Sequence, residues 1–212
     1  NKNLKIMQLL TPQKFKDYEL IDVGGFEKLE RFGQYITIRP EPQAVWDKSL
    51  SNSEWEKRAH IKFMPRSSSS GEWKKLKQMP DQWQIRYEIS DMRNETNERK
   101  SQISNPKSQI SFRLGLTSFK HVGIFPEQAP NWDFIYQTVK AMSVPQPKVL
   151  NLFAYTGGAS LAAKAAGADV THVDSIKQVV TWSKENMDLS GLNNIRWVVE
   201  DALKFVKREE KR

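Results

Sequence analysis

A short apolar run followed by a pair of glycines in the C-terminal half of the chain limits the folds that are possible. Residues 148–153 read KVLNLF, the kind of run that a central parallel strand requires because both of its faces are covered. Gly157-Gly158 follows this run, and the alanine-rich stretch 159–166 predicts a helix that Gly167 closes. The three segments together predict one strand–turn–helix unit of an α/β fold.

The same alternation of short apolar runs and helical stretches continues downstream. Strands are predicted at 169–174 and 195–199, and helices at 176–189 and 202–210. Residues 132–142, WDFIYQTVKAM, predict a further helix ahead of the first strand, and Pro145 and Pro147 mark its end. The order β-α-β-α-β-α predicts the first half of a doubly wound parallel sheet, a Rossmann-like domain that is C-terminally incomplete in this sequence.

The N-terminal half has a different pattern. Alternating apolar and polar residues at 35–38, 83–89 and 110–114 predict half-buried strands. Residues 67–71 are predicted to form a loop tip, and the polar stretch 93–109 a mobile hairpin excursion. We therefore predict an N-terminal β-rich domain over residues 1–117 and a Rossmann-like domain over residues 118–212.

Composition excludes several classes of protein. The sequence contains no cysteine, so it has no disulfide, no cysteine-based zinc site and no catalytic thiol of its own. No metal site is predicted. No stretch approaches the roughly 20 apolar residues that span a bilayer, so we expect no membrane partner and a soluble, cytoplasmic protein. Because the sequence begins with Asn1, we expect it to be part of a longer gene product.

The chain is basic, with a net charge of +8 that is concentrated in its N-terminal half. Up to Ser118 there are 21 basic and 15 acidic residues, and the densest cluster comprises Lys57, Arg58, Lys62, Arg66, Lys74, Lys75 and Lys77. A basic face beside exposed aromatic side chains suits a polyanion such as RNA. A solvated surface that only keeps the protein soluble explains the same charge. RNA is the expected partner, with the second interpretation left open.

Three positions fall at the carboxyl ends of the predicted strands, where ligands of such folds bind. They are the loop 154–159 with its two glycines, Asp174 at the end of the second strand and Asp201 just past the third. Asp174 is placed to accept from ribose hydroxyls and Asp201 from an adenine amino group. Alternatively, the glycines form only a tight turn and each aspartate caps the next helix. Their recurrence after three consecutive strands favours a shared adenosyl ligand.

The loop also separates two classes of ligand. Dinucleotide folds require G-x-G-x-x-G so that a pyrophosphate can approach the helix. Tyr155 occupies the place of the first glycine here, and the spacing differs, so a pyrophosphate would be crowded. A nucleoside with a methionine tail is easier to accommodate, which favours S-adenosylmethionine as the cofactor. A nicotinamide-dependent oxidoreductase and a non-enzymatic RNA-binding module remain as alternatives.

The loop carries a resemblance to a known family. Residues 149–160, VLNLFAYTGGAS, resemble the first motif of bacterial methyltransferases related to ribosomal RNA cytosine-5 methyltransferases, which typically reads F-(S/A)-Y-T-G-G. Other segments resemble further parts of these enzymes: 171–174 with Trp182, Glu185 and Asn186, then 200–202, the upstream segment 119–128, and 18–46 of the N-terminal domain. The resemblance thus covers nearly the whole chain.

The resemblance implies a class I, S-adenosylmethionine-dependent methyltransferase that acts on RNA, with ribosomal RNA favoured. It implies cofactor-binding roles for Tyr155, Thr156 and Gly157 at the methionine moiety, Asp174 at the ribose, Asp201 at the adenine, and Phe125 and Gln128 as closing residues. His121 is interpreted as structural.

The sequence departs from the family pattern at two places. Asn151 stands where many class I enzymes carry an acid, and 126–128 read PEQ where relatives commonly read D-Q-R. Both departures bear on the fine geometry around the cofactor. The family's D-P-P motif and its nucleophilic cysteine do not occur before Arg212, so no catalytic base or nucleophile is assigned.

Overall fold

The computed structural model describes residues 15–67, 70–89 and 109–211. Within these ranges the chain forms ten strands and five α-helices. The predicted hairpin excursion at 93–109 lies outside the described residues except for Gln109, and so do residues 68 and 69 of the predicted loop tip. No helix in the described ranges is long and apolar enough to cross a bilayer.

The N-terminal part of the described chain is built around one mixed sheet. Its strands, in spatial order, are β1 (Tyr18–Gly24), β2 (Glu27–Phe32), β3 (Tyr35–Pro40), β4 (Ile61–Pro65) and β5 (Gly71–Lys75). Strands β3 and β4 run parallel, and the other neighbours run antiparallel. The parallel pair needs a crossover, which contains α1 (Asn52–Arg58). Ser51 and Glu54 form a capping box at the start of this helix, and Trp55 is its buried residue.

Asp22 in β1 fixes the chain that leads into α1. Its carboxylate accepts hydrogen bonds from the backbone N–H groups of Ser49 and Leu50 and, at 2.8 Å, from Nε1 of Trp55. Burial alone would raise the pKa of Asp22, but these donors outweigh it and lower the pKa below its ordinary value. The charged form of Asp22 is therefore part of the fold.

A buried ion pair connects this sheet to the segment that precedes the C-terminal unit. Arg39 Nη2 lies 2.6 Å from Glu30 Oε2, and both side chains are almost fully buried. The hydroxyl of Tyr18 donates to the other oxygen of Glu30 at 3.0 Å. Arg39 Nη1 also donates to the carbonyl oxygen of Lys120 at 3.2 Å, so the pair links β2 and β3 to residues far along the chain.

The hairpin of β6 (Gln82–Glu88) and β7 (Gln109–Gly115) packs against the C-terminal unit. The ring of Phe112 on β7 lies 5.1 Å from the indole of Trp132, and both are buried in the main core. The backbone N–H of Arg113 donates to Asn186 Oδ1 at 2.8 Å. The hairpin and the C-terminal unit therefore share one hydrophobic core.

The C-terminal unit has the predicted alternation of strands and helices. Its elements are α2 (Ala129–Ala141), β8 (Lys148–Leu152), α3 (Gly158–Ala165), β9 (Asp169–Asp174), α4 (Lys177–Leu189), β10 (Ile195–Val199) and α5 (Ala202–Glu209). The three strands are parallel, in the order β10-β9-β8. Helix α2 begins three residues before the predicted start at Trp132, because Pro130 fits the first turn, where its missing N–H is not needed.

Candidate cofactor-binding site

The three parallel strands end along one edge of the sheet. Leu152 of β8 is paired with Val173 of β9, and Asp174 of β9 with Val199 of β10. The loop after β8, the end of β9 and the chain after β10 therefore leave the sheet as neighbours. This edge is where the sequence predicted a ligand.

The loop after β8 has an unusual backbone. Phe153, Tyr155 and Gly157 have φ angles of 53°, 50° and 95°, so every second residue adopts the left-handed region. This conformation costs a residue with a Cβ about 1–2 kcal/mol. The N–H of Ala154 donates to the carbonyl of Val173 at 3.1 Å, which joins the loop to β9. The residue between the two left-handed aromatic residues thus anchors the loop to the neighbouring strand.

The two glycines of the loop meet different requirements. Gly157 supplies the positive φ of the turn. A Cβ on Gly158 would lie 2.6 Å from Cε2 of Trp132, so this position must stay without a side chain to let the indole pack against it. Helix α3 begins at Gly158, and no side chain in the described ranges caps its first turn. The exposed N–H groups there favour a carboxylate or a phosphate.

A cleft of about 530 Å³ opens at this edge. Its lining includes five of the predicted residues, Phe125, Gln128, Tyr155, Thr156 and Gly157. The rings of Phe125 and Tyr155 lie 5.0 Å apart and form one wall. Burial raises the pKa of Tyr155 to about 12. The volume suits a nucleoside-sized ligand.

The side chain of Thr156 fastens the loop to the segment that contains Gly123. It is 2% exposed, and its Oγ1 donates to the carbonyl of Gly123 at 2.7 Å. The carbonyl of Thr156 accepts a hydrogen bond from Asn186 Nδ2 at 2.9 Å. Asn186 Oδ1 in turn accepts from the backbone N–H of Arg113 on β7. Asn186 therefore ties the loop, α4 and β7 together, a role that the sequence does not reveal.

Asp174 stands behind the loop. Its Oδ2 accepts from the N–H of Tyr155 at 2.9 Å, and its Oδ1 accepts from the N–H of Ile176 at 3.0 Å. Each carboxylate oxygen has two acceptor positions, so both retain one for a further donor. Asp174 is not among the described residues that line the cleft.

Asp201 is exposed and caps α5, with its Oδ1 accepting from the N–H of Lys204 at 3.0 Å. Like Asp174, it is absent from the described lining of the cleft. The structure therefore brings five of the seven predicted residues into one cleft. It places Asp174 against the cleft's loop and Asp201 one strand further on.

A buried histidine below the loop was not predicted as a site residue. His172 on β9 is fully buried, and its Nδ1 lies 3.0 Å from Ser160 Oγ. Burial lowers the pKa of His172 to about 4. Asn151, which the sequence marked as a departure from the family, donates to the same Ser160 hydroxyl at 2.9 Å. The sequence offered one indication of this contact, namely a polar residue within each of two predicted apolar strands, Asn151 and His172.

Much of the predicted basic cluster is engaged within the protein. The contacts are Lys62 with Glu27, Arg66 with Glu72, Lys75 with Asp81, and Lys77 with the carbonyls of Lys57 and Arg58. Three of the seven positive charges of this cluster are therefore paired with a carboxylate. The described residues contain no group of three or more His, Asp or Glu side chains placed to hold a metal ion.

The parallel order β10-β9-β8, with its helices and a cleft at the carboxyl edge, defines a Rossmann-like fold of the ligand-binding type. No family model matches the chain. The chain is 38% identical to the SAM-dependent methyltransferase of Agrobacterium tumefaciens, whose crystal structure matches with a TM-score of 0.80 over 98% of this chain and 60% of that one. The predicted fold, a Rossmann-like region preceded by a β-rich one, is confirmed.

Two further comparisons are more distant or more partial. The ribosomal RNA large subunit methyltransferase K/L of Shewanella frigidimarina is 32% identical over 114 residues, which are 52% of this chain and 15% of that protein. A structure described as a candidate SAM-dependent methyltransferase from Streptococcus mutans matches with a TM-score of 0.64 at 18% identity, over 93% of this chain and 50% of that one. The chain thus spans only part of the length of each of these proteins.

Proposed function

We propose that this chain is the cofactor-binding part of an S-adenosylmethionine-dependent methyltransferase that acts on RNA, with ribosomal RNA favoured. The observation that carries the proposal is the cleft at the carboxyl edge of the parallel sheet, where the left-handed loop meets the uncapped start of α3. The names of the relatives from Agrobacterium and Shewanella support the activity and the acceptor class.

The residues that line the cleft, together with Asp174 and Asp201 beside it, suit the three parts of S-adenosylmethionine. The free N–H groups at the start of α3 suit the methionine carboxylate, beside Tyr155 and Gly157. The unused acceptor positions of Asp174 suit ribose hydroxyls, and the free Oδ2 of Asp201 suits the adenine amino group. The cofactor, when bound, supplies an electrophilic methyl group. The chain's own contribution is to orient it and, through the Phe125 and Tyr155 rings, to exclude water.

The acceptor is the less direct part of the proposal. The net charge of +8 suits a nucleic acid, and the resemblance to relatives of the ribosomal RNA cytosine-5 methyltransferases favours ribosomal RNA as the acceptor. A ribosomal RNA acceptor also suggests a cytoplasmic location. We assign no catalytic base or nucleophile, because neither the D-P-P motif nor a cysteine occurs in this sequence.

Calorimetry tests the cofactor. We expect the full-length protein to bind S-adenosylmethionine and its Asp174→Ala variant to bind it at least tenfold more weakly, since the variant loses the ribose acceptor and the contact with Tyr155 N–H. Asp188→Ala, an exposed aspartate on α4, is the matched control and should bind as wild type. Binding of NAD without S-adenosylmethionine would instead support the nicotinamide-dependent oxidoreductase, which the relatives do not favour.

Mass spectrometry of RNA from a strain that lacks the full-length protein tests the acceptor. We expect one methyl group to be missing from ribosomal RNA, and restored by the wild-type gene but not by the Asp174→Ala gene. Unchanged RNA together with a missing methyl group on a protein or small molecule would refute the RNA acceptor. Restoration by the Asp174→Ala gene would favour the non-enzymatic RNA-binding module.

A further inference from the structure

The polar side chains below the loop form one continuous path of hydrogen bonds. Asn151 Nδ2 donates to Ser160 Oγ at 2.9 Å, and this hydroxyl lies 3.0 Å from His172 Nδ1. On the other side of the imidazole, Nε2 lies 3.4 Å from Ser183 Oγ. Ser183 Oγ donates to the carbonyl oxygen of Tyr155 at 2.6 Å. The path thus runs from the middle of β8 to the cofactor loop.

The direction of this path selects one form of His172. A hydroxyl has a single proton to donate. Ser160 receives the amide N–H of Asn151 and passes its own proton to Nδ1 of His172. Ser183 Oγ lies 3.0 Å from the carbonyl oxygen of Val179 and only 2.6 Å from that of Tyr155, so its proton goes to Tyr155. Because that proton is used, the Ser183 hydroxyl can only accept from His172, and Nε2 must carry the N–H. Only the neutral imidazole with its proton on Nε2 satisfies every member.

The path ends on Tyr155, a residue of the loop whose backbone is constrained on both sides. Tyr155 has a φ of 50°, which is unfavourable for a residue with a side chain. Its N–H is held by Asp174 Oδ2 and its carbonyl by Ser183 Oγ. A Cβ on Gly157 would lie 3.4 Å from Cβ of Ser183, so the serine lies directly beneath the turn.

We propose that His172 is a positioning residue for the cofactor loop. Its Nε2–H orients the Ser183 hydroxyl, which fixes the Tyr155 carbonyl and so the shape of the cleft. His172 is not among the described residues that line the cleft, so it acts through Ser183 and does not touch the ligand. This inference rests on the proposed function, because the shape of the loop is measured as affinity for S-adenosylmethionine.

Two substitutions of His172 separate its nitrogens. The amide nitrogen of His172→Gln reaches the place of Nε2 and can still donate to Ser183, whereas His172→Asn reaches only the place of Nδ1. Both variants lose part of the packing of the ring. We expect His172→Gln to bind S-adenosylmethionine within about threefold of wild type and His172→Asn to lose about tenfold or more. Equal affinities of the two variants would contradict the proposal.

Ser183 provides the second test, with a control on the same helix. Ser183→Ala should lose about tenfold in affinity, as His172→Asn does, because the Tyr155 carbonyl loses its donor. Thr181→Ala removes an exposed hydroxyl that donates to the carbonyl of Lys177 four residues earlier, as Ser183 can to Val179. It should bind as wild type. Wild-type affinity in Ser183→Ala would overturn the proposal.

Two readouts do not depend on the cofactor. Nitrogen-15 NMR of the wild-type imidazole should show the proton of His172 on Nε2, and Ser160→Ala should allow the Nδ1–H form to appear. Amide exchange at Tyr155 should accelerate in Ser183→Ala but not in Thr181→Ala. A chain that passes both tests without binding S-adenosylmethionine would refute the proposed function and keep the positioning role. A proton found on Nδ1 in the wild type would refute the role itself.

Discussion

At the scale of single residues, the loop shows how far a motif can be interpreted. The sequence predicts a tight turn from Gly157-Gly158, and Gly157 has the positive φ that this prediction requires. The need for glycine at 158 comes from the indole of Trp132, 26 residues earlier in the chain, and no local pattern encodes that contact. For the same reason, the sequence could place Asn151 and His172 on strands but could not reveal the serine that joins them.

The depressed pKa of His172 predicts a pH dependence of stability. The unfolded chain takes up a proton near pH 6.5, whereas the folded chain does so only near pH 4 because the ring is buried. Between these values the unfolded state binds more protons, so the free energy of unfolding falls as the pH is lowered, by about 3 kcal/mol at pH 4.

Urea denaturation of the wild type and of His172→Gln at pH 7 and at pH 4.5 measures this effect. His60 and His121 also have lowered pKa values, chiefly through burial, and they contribute equally to both proteins. The wild type should therefore lose more stability between the two pH values than the variant does. Identical losses would show that His172 is not buried in its neutral form.

At the level of single elements, local patterns predicted the strands and helices of the C-terminal unit better than those of the N-terminal sheet. The helices and parallel strands of the C-terminal unit follow from periodicity, since consecutive strands of a β-α-β fold are usually neighbours. The parallel pairing of β3 with β4 depends on the crossover through α1. The periodicity of the sequence does not indicate such a crossover. The buried pair Glu30–Arg39 also joins residues that look like ordinary surface charges in the sequence.

The buried ion pair of Glu30 and Arg39 predicts how substitutions change the stability of the fold. Arg39→Met should lower the free energy of unfolding by about 3 kcal/mol, because the buried Glu30 carboxylate loses its nearest cation and keeps only the longer contact with Lys28, at 3.6 Å. The double variant Glu30→Met/Arg39→Met should lose clearly less, since no buried charge remains. Chemical denaturation of the three proteins measures both values. A double variant as unstable as Arg39→Met would mean that packing, and not charge, sets the cost.

For the molecule as a whole, the packing of the hairpin β6–β7 bears on where one folding unit ends and the next begins. The sequence predicts a boundary at residue 117, where the charge and the apolar pattern change. The hairpin β6–β7 lies before that boundary, yet Ile85, Phe112 and Leu114 are fully buried in the core that also holds Trp132. The alternation of apolar and polar residues in the hairpin predicts that one of its faces is buried. It does not indicate which part of the protein covers that face.

Fragments of the chain test this division. We expect a fragment of residues 76–212 to be folded, with circular dichroism and a cooperative thermal transition. A fragment of residues 118–212 should lack that transition, because it exposes the apolar surface of α2 and α3 that the hairpin covers. A folded 118–212 fragment would support the boundary at residue 117 as it stands.

The contact between Trp132 and Gly158 has a consequence for how this chain can diverge. A large ring at 132 leaves no room for any side chain at 158, while a smaller residue at 132 would release that restriction. Substitution histories at the two positions should therefore be correlated among homologues, with alanine or serine at 158 appearing only in lineages that have already lost the indole.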